Sequence, residues 1–486
     1  MILDVQNIRD WDAFSIKNKH QSSLNLMFSA ALAISHYLTA NYPGSSFAFI
    51  AGRGNNGGDA VLCALLLSRL NIPVKLYFHG DPNKASLDCK HWLDIYQQEC
   101  GETVAVEEIA SSDIIVDGLL GTGVNRPLSG SFLTLVKALN QMDNYKIAID
   151  TPSGLICDEW EQNSEIFKAA ETLCLGVYKW AFCNPLNSQY TGKIKVLDIG
   201  LDKRFNPTKI IGQLITKDFL KNSIPPRALH GDKLNSGSVL LVGGCKGMFG
   251  SLSFASKAAF STGAGLVEIM SEEEQRQLFQ QNNPEARFTA MASINQVDFH
   301  RYTAVLIGPG LGSSKKAIEV LKRVLTAKPK KLIIDADAIN LIASEKLFDL
   351  IPENAILTPH EREFKRLCGD FSKQSNRLFE QMNFCKERSL FLLYKGVHSC
   401  ITTPSGDIFV NSSGNPALAK GGSGDVLAGM LLGLLCTNSN LLMSLTQATY
   451  LHGSIADTFV SNHSELSLSP ELMLKAIPQQ LKLLSC

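Results

Sequence analysis

Five consecutive residues in the C-terminal part of the chain could handle a phosphoryl group: Gly421, Gly422, Ser423, Gly424 and Asp425. A helix pattern follows, with apolar residues at Val426, Leu427, Met430 and Leu431. A glycine turn that opens a helix presents free backbone N–H groups at the positive end of the helix dipole, which suits a phosphate or an oxyanion. A carboxylate at that rim does not help to bind an anion. It does help if it takes the proton of a hydroxyl that attacks phosphorus, while the N–H groups hold charge on the transferring group. A helix N-terminus with a capping acid has the same composition, so both readings stay open on these residues alone.

A second set of candidates lies in the first half. The strand SFAFIA ends at Ala51 and enters the loop Gly52–Asp59, with a helix expected from Ala60 to Leu70. DIIVD ends at Asp117, KIAID ends at Asp150, and Ser153 follows in Thr151-Pro152-Ser153-Gly154. In an open α/β sheet, ligands bind beyond the carboxyl ends of the strands. Asn56, Asp117, Asp150 and Ser153 are then expected to converge at one sheet edge. All four offer oxygen to a hard cation, and two carboxylates at most suit a monovalent ion. Singly, each could be an ordinary turn residue. The loop also satisfies GxGxxG, and Gly80-Asp81 follows the next strand, VKLYF, so a dinucleotide-binding dehydrogenase is one alternative. Asn55, Asn56 and Asp59 make the loop unusually polar for that role.

The elements that must carry these residues form two α/β series. At 486 residues, and about 150 per domain, two or three domains are expected. Residues 24–40 read as a buried helix, apolar on most faces. From Leu201 to Gly237 the chain is polar and irregular, with Pro225-Pro226 inside it, and a domain boundary is expected near residue 212. In the second series SVLLV enters Gly243–Gly250, TAVLI enters Gly308–Gly312, and KLIID ends in Asp335-Ala336-Asp337. NAILT then ends at Thr358-Pro359-His360, and LFLLY runs into Lys395-Gly396-Val397-His398. No GxxxxGK[ST] occurs, so a kinase-like site here is not a P-loop.

Composition narrows the class. Lys+Arg and Asp+Glu number 46 each, which argues against nucleic-acid or membrane-surface binding by bulk charge. The 12 cysteines form no CxxC pair, as expected for reduced thiols in a cytoplasmic protein. The start MILDVQNIRDWD has no apolar signal core, and the apolar runs are too short to span a bilayer at about 20 residues. A balanced charge permits self-assembly, and a homo-oligomer is expected.

Taken as an ordered set, the motifs resemble a known family. The first half resembles the NAD(P)H-hydrate epimerases in GNNGGD (54–59), VDGLLGTGVNRPLSG (116–130), AIDTPSG (148–154) and LDIGL (197–201). The second half resembles the ADP-dependent NAD(P)H-hydrate dehydratases of the ribokinase-like group. Its motifs are GGCKGMFGS (243–251), IGPGLG (307–312), IDADAIN (334–340), LTPHEREF (357–364), YKGVHS (394–399) and GNPALAKGGSGDVLAG (414–429). The fusion is similar to the bifunctional repair enzymes of bacteria. The fold implied is a Rossmann-like three-layer domain over residues 1–212, followed by a ribokinase-like α/β domain over 213–486.

The resemblance implies that hydrated NADH and NADPH (NADHX and NADPHX) are the substrates. The first domain would interconvert the R and S epimers at C6. The second would phosphorylate the S hydroxyl, with ADP or ATP as donor and magnesium beside it, and loss of phosphate would restore the ring. Carried over by position, the first-domain hydrate segments fall on Asn55, Asn56, Gly57, Gly58 and Asp59, and on Gly121, Thr122, Gly123, Val124, Asn125, Arg126 and Pro127. Asp150 touches the hydrate and is the expected acid/base; Asn56, Asp117 and Ser153 match potassium positions. In the second domain the hydrate positions are Ser251, Gly310, His360 and Asp425, with Asp425 as base. The nucleotide positions are Lys395, Gly396, Val397, His398, Ser399 and Gly424. The chain departs from the family pattern at Ser251 (usually alanine), Glu361-Arg362 (usually Pro-Gly) and the bulky His398. The alternatives are a ribokinase-like small-molecule kinase with an accessory first domain, and a non-catalytic binding protein. The acids Asp59, Asp117, Asp150 and Asp425 disfavour the second of these.

Overall fold

The computed structural model describes residues 1–19, 22–159, 162, 164–225, 236–369, 375–396 and 398–485. The chain divides into two compact units, Met1–Gly212 and Gln213–Cys486.

The first unit is built on a six-stranded parallel sheet. Its strand order is Val74–Phe78, Phe47–Ala51, Ile114–Gly118, Tyr145–Ile149, Glu171–Leu175, Lys193–Leu197. The strands FAFIA and IIVDG are buried at every residue, as a parallel sheet covered on both faces requires. Alternate residues serve alternate layers. Phe47 and Phe49 pack with Val61, Leu62 and Leu65 of the Asn55–Arg69 helix, and Ala48 and Ile50 pack with Leu135, Val136 and Leu139 of the Gly130–Gln141 helix. A separate two-residue parallel pair joins Ile2–Leu3 to Tyr178–Lys179.

The second unit carries a ten-stranded sheet among the described residues. From Arg287–Ala290 through Leu266–Ser271, Ser238–Val242, Ala304–Ile307, Leu332–Ile334 and Ile356–Leu357 to Phe391–Tyr394, every pairing is parallel. Cys400–Thr402 and Ile408–Asn411 then continue antiparallel, and Gln213–Ile215 closes the edge. Val239 and Leu241 face the layer holding the Phe249–Ser261 and Ser423–Thr437 helices; Leu240 and Val242 face the layer of the Lys315–Ala327 helix.

Those first two helices approach unusually closely. A Cβ on Gly429 would lie 2.2 Å from the Ala255 carbonyl oxygen, and one on Gly433 would lie 2.4 Å from that of Ala259. The hydroxyl of Thr262 donates across the contact to the Met430 carbonyl, at 3.1 Å. Only glycine permits this approach, and it sets the register of Asp425 against Ser251.

Three expectations from the sequence change. The helix expected from Ala60 begins at Asn55, because Gly54 is its N-cap and Gly58 N–H already donates to Gly54, at 3.1 Å. The segment 24–40 is helical over Ser23–Asn41 but buries one side only, leaving Phe28 and Leu32 exposed. The irregular stretch after Leu201 contains the Gln213–Ile215 strand, which exists through its pairing with Ile408–Asn411.

Candidate functional sites

The first unit holds a cavity of about 640 Å³ at the carboxyl ends of its strands. Asn55, Asn56 and Asp59 line it from the start of the Asn55–Arg69 helix, and every residue from Gly121 to Pro127 lines it from the turn after Ile114–Gly118. Gly57 and Gly58 lie behind this wall. A Cβ on Gly57 would sit 1.8 Å from the Gly52 carbonyl oxygen, and one on Gly58 would sit 2.7 Å from the Met27 methyl. Their smallness lets the helix start pack against the strand-end turn, which brings Asn56 and Asp59 to the cavity.

Asp150 lines the same cavity. It follows the Tyr145–Ile149 strand in a left-handed conformation, φ 63°, a sparsely populated state that tends to mark functional turns. Its carboxylate accepts the Leu175 N–H at 3.0 Å and forms an ion pair with Lys179. Lys179 is fully buried and also donates to the Leu175 carbonyl, at 3.1 Å. Burial disfavours the lysine charge, but Asp150 and the Cys174 sulfur outweigh it and hold the ammonium above its ordinary value. Burial, followed by the charges of Asp150, Asp12 and Asp88, pushes Asp59 well above the usual carboxylate range.

Asp117 and Ser153 form a buried network beside the cavity, and the half-buried Asn56 joins it through the Leu120 carbonyl. The Ser153 hydroxyl donates to Asp117 at 2.7 Å, the Ser153 N–H at 2.8 Å and the Leu119 N–H at 3.0 Å. The Asn56 amide donates to the carbonyls of Leu120 and Ile149 at 3.0 and 3.2 Å. Burial raises Asp117 to about 6 against the hydrogen bonds of Ser153 and Leu119. Among the described residues no basic side chain neutralises this carboxylate. A single buried charge amid hydroxyl, amide and carbonyl oxygens fits a monovalent cation.

In the second unit Asp425 sits in the first turn of the Ser423–Thr437 helix, whose N-cap, Gly422, is left-handed at φ 89°. A Cβ on Gly424 would lie 3.6 Å from the Lys395 ammonium, so that cation stands at the helix N-terminus. Lys395 pairs with buried Asp335 at 2.8 Å, and the Thr358 hydroxyl donates to the same carboxylate at 2.6 Å. Burial opposes the Lys395 charge, yet Asp335, Glu363 and Asp425 raise it above its ordinary value. Asp425 is raised to about 6, first by burial and then by Asp335; a hydrogen bond from the Ser251 hydroxyl and the charge of Lys395 pull the other way.

The remaining expected residues fall around this point. Gly310, at φ 60°, accepts the Cys245 N–H at 2.7 Å, which joins the glycine turns of two adjacent strands. His360 caps the Glu361–Cys368 helix, its Nδ1 accepting from Arg362 and Glu363 N–H at 3.1 and 3.2 Å. It also bridges to Lys395 in parallel register, so the charged Glu361-Arg362-Glu363 run serves a capping box. Gly396 is exposed, and its carbonyl accepts the Ser399 hydroxyl at 3.3 Å. Burial and then Arg377 hold the His398 imidazole down at about 4. Val397 lies outside the described residues. Lys179, Asp12 and Asp335 join these sites without having been singled out from the sequence. Of the three only Asp335 had a signal, its place at a strand end.

Comparison with known proteins places both units. Residues 239–479 match the family described as NAD(P)H-hydrate dehydratase, and residues 23–181 match that described as YjeF-related protein N-terminus. The bifunctional NAD(P)H-hydrate repair enzymes of Thermosynechococcus vestitus and Coxiella burnetii are each 30% identical to this chain. The match covers 92% of it in both cases, and 91% and 92% of theirs. The chain belongs to this family. It is therefore an enzyme with two activities, an epimerase and a dehydratase of hydrated NAD(P)H. The solved ADP/ATP-dependent NAD(P)H-hydrate dehydratase from Bacillus subtilis, co-crystallized with ATP/Mg2+, is 28% identical with a TM-score of 0.51, over 56% of this chain and 99% of that one. A ribokinase-like superfamily protein from Enterococcus faecalis gives 27% and 0.52, over 58% and 100%. The expected ribokinase-like fold of the second half is thereby found.

Proposed function

We propose that residues 1–212 interconvert the R and S hydrates, and that residues 213–486 convert the S hydrate back to NAD(P)H with ADP as phosphoryl donor. The observation that carries this assignment is Asp425, which faces Ser251 and Lys395 at the N-terminus of a long helix. Asp425 takes the proton of the C6 hydroxyl as its oxygen attacks phosphorus. The N–H groups of Gly421–Gly424 and the Lys395 ammonium hold the charge of the transferring group. Departure of phosphate from C6, with loss of a C5 proton, restores the dihydropyridine. Ser251, Gly310 and His360 are assigned to the hydrate beside Asp425, and Lys395, Gly396, His398 and Ser399 with Gly424 to the nucleotide. Among the described residues no three His, Cys, Asp or Glu side chains form a metal cluster. A magnesium ion would come with the nucleotide phosphates and screen their charge.

In the first unit Asp150, fixed by Lys179, is the acid/base that moves the C6 hydroxyl's proton. Asn56, Asp117 and Ser153 take potassium, with Asn56 presenting its amide oxygen in place of its NH2. A potassium ion held there would balance the Asp117 charge. The scattered cysteines, which form no CxxC pair, support a cytoplasmic setting. The balanced charge favours a homo-oligomer, which light scattering tests.

The test is recovery of the dihydronicotinamide absorbance from a mixture of R and S hydrated NADH, with ADP, with ATP and with no nucleotide. Full recovery with ADP establishes both activities and the donor. Recovery of the S fraction alone assigns a silent first unit. No recovery with either nucleotide refutes the assignment.

A further inference from the structure

The N-terminal helix, Val5–Asn18, lies ahead of the stretch matched to the first-domain family, 23–181, yet it closes one side of the cavity. Four of its residues line the cavity, and two of these, Arg9 and Asp12, are charged, as are Asp150 and Lys179 on the same wall. Arg9 stands over the Gly121–Pro127 turn, its guanidinium 3.9 Å from where a Cβ on Gly123 would be. Asp12 is half-buried, and among the described residues no hydrogen-bond donor reaches its carboxyl. A carboxyl on a cavity wall with no protein donor is free to serve a ligand.

We propose that Asp12 is a second catalytic carboxyl of the epimerase cavity, working as the acid while Asp150 works as the base. This rests on assigning epimerisation to the first unit. Inversion at C6 through a planar cation needs two proton-handling groups. One protonates the hydroxyl that leaves, and the other accepts a proton from the water that adds to the opposite face. Asp12 gives its proton to the C6 hydroxyl. The C6–O bond breaks, the N1 lone pair forms N1=C6, and water departs. Water then adds to C6 from the other face, the N1=C6 electrons return to N1, and the proton of the incoming water passes to Asp150. The net transfer is one proton from Asp12 to Asp150, reversed in the opposite epimerisation or reset through solvent.

The two carboxyls occupy different environments, as an acid and base pair requires. Asp150 is tied to a buried ammonium. Burial and then Asp150 raise Asp12 to about 6, with Lys179 acting against them. The other charged groups around the cavity are Asp59, Asp88, Arg9 and Arg126. Burial pushes Asp59 well above the usual carboxylate range, whereas Asp12 is half-buried on the cavity wall beside Asp150 and Lys179.

The experiment follows R-to-S conversion of hydrated NADH by the full chain, corrected for the spontaneous rate, for the unaltered protein, Asp12→Asn and Asp12→Glu. Asp12→Asn is expected to lower the rate about 100-fold or more, and Asp12→Glu to recover part of it. The unaltered chain is expected to lose epimerisation as pH rises from about 5 to 8, a limb missing from Asp12→Asn. An unchanged rate in Asp12→Asn overturns the proposal. So does a flat profile of the unaltered chain over that range, which requires no variant to fold. No rate above the spontaneous one in the unaltered chain instead overturns the assignment of epimerisation to this unit, and the role of Asp12 with it.

Discussion

Both units place a buried lysine–aspartate pair beside a helix that begins in a glycine turn, but they use it oppositely. In the first, Lys179 neutralises Asp150, the acid assigned to chemistry. In the second, Lys395 pairs with Asp335 and leaves Asp425 with a neutral hydroxyl, that of Ser251. The backbone follows the same division. A non-glycine residue of positive φ stands at each pair, Asp150 itself in the first unit and Ala336, next to Asp335, at φ 50° in the second. A base that must attack a hydroxyl proton near neutrality gains from a raised carboxyl, and a carboxylate that must stay ionised gains from a bound cation. The two α/β edges thus differ in which acid the lysine pairs with.

The largest expected effect breaks the comparison on its second side. Asp425→Asn lowers nucleotide-dependent recovery of the pure S hydrate by about 10²–10⁴-fold and leaves epimerisation intact. Full repair by that variant, read by absorbance, contradicts the assigned role.

On the first side, Asp150→Ala slows R-to-S conversion only and strands the Lys179 charge. Lys179→Met strands Asp150 in turn, and urea unfolding of the first unit is expected to show a loss of about 3–5 kcal/mol. A loss below about 1 kcal/mol would mean that the pair is solvated and that Asp150 is not held by it.

Gly429→Ala tests the helix contact that sets Asp425 against Ser251. The added methyl meets the Ala255 carbonyl, so a loss of about 1–3 kcal/mol is expected in the second unit's unfolding, with dehydratase activity falling alongside. Unaltered stability would show that the two helices can separate freely.

Ser251→Ala has the smallest effect and the clearest sign. The Ser251 hydrogen bond lowers the Asp425 carboxyl, so its removal raises it and leaves less of the base ionised at a given pH. The acid limb of the dehydratase profile moves to higher pH. The rate near pH 6 falls by less than about tenfold, and the plateau at higher pH is unchanged. A limb that does not move would remove the Ser251 hydroxyl from the electrostatics of the site.

Much of this molecule is local in origin. Buried apolar runs such as FAFIA and SVLLV become central parallel strands, because both of their faces must be covered. Asp117 lies near the end of the Ile114–Gly118 strand, and the turns after Tyr145–Ile149, Ala304–Ile307 and Ile356–Leu357 carry Asp150, Gly310 and His360, so the sequence places these residues at sheet edges before any packing is known. Gly421–Asp425 is equally legible, since a helix N-terminus with an acid in its first turn is written in consecutive residues. The ordered motifs likewise carry the family.

What tertiary structure alone decides is which charge meets which. Lys179 lies in a two-residue strand that exists only because Ile2–Leu3 pairs with it, and no local pattern announces it. Asp12 belongs to an amphipathic helix with no glycine motif and reaches the cavity only once that helix docks. Lys395 and Asp335 are 60 residues apart in the chain. Gln213–Ile215 is a strand only through Ile408–Asn411. Residue types and their order follow from short-range sterics and the periodicity of burial, which a sequence contains. The ionisation of an acid follows from burial and from charges a few ångströms away, and those distances come into being when the chain closes on itself.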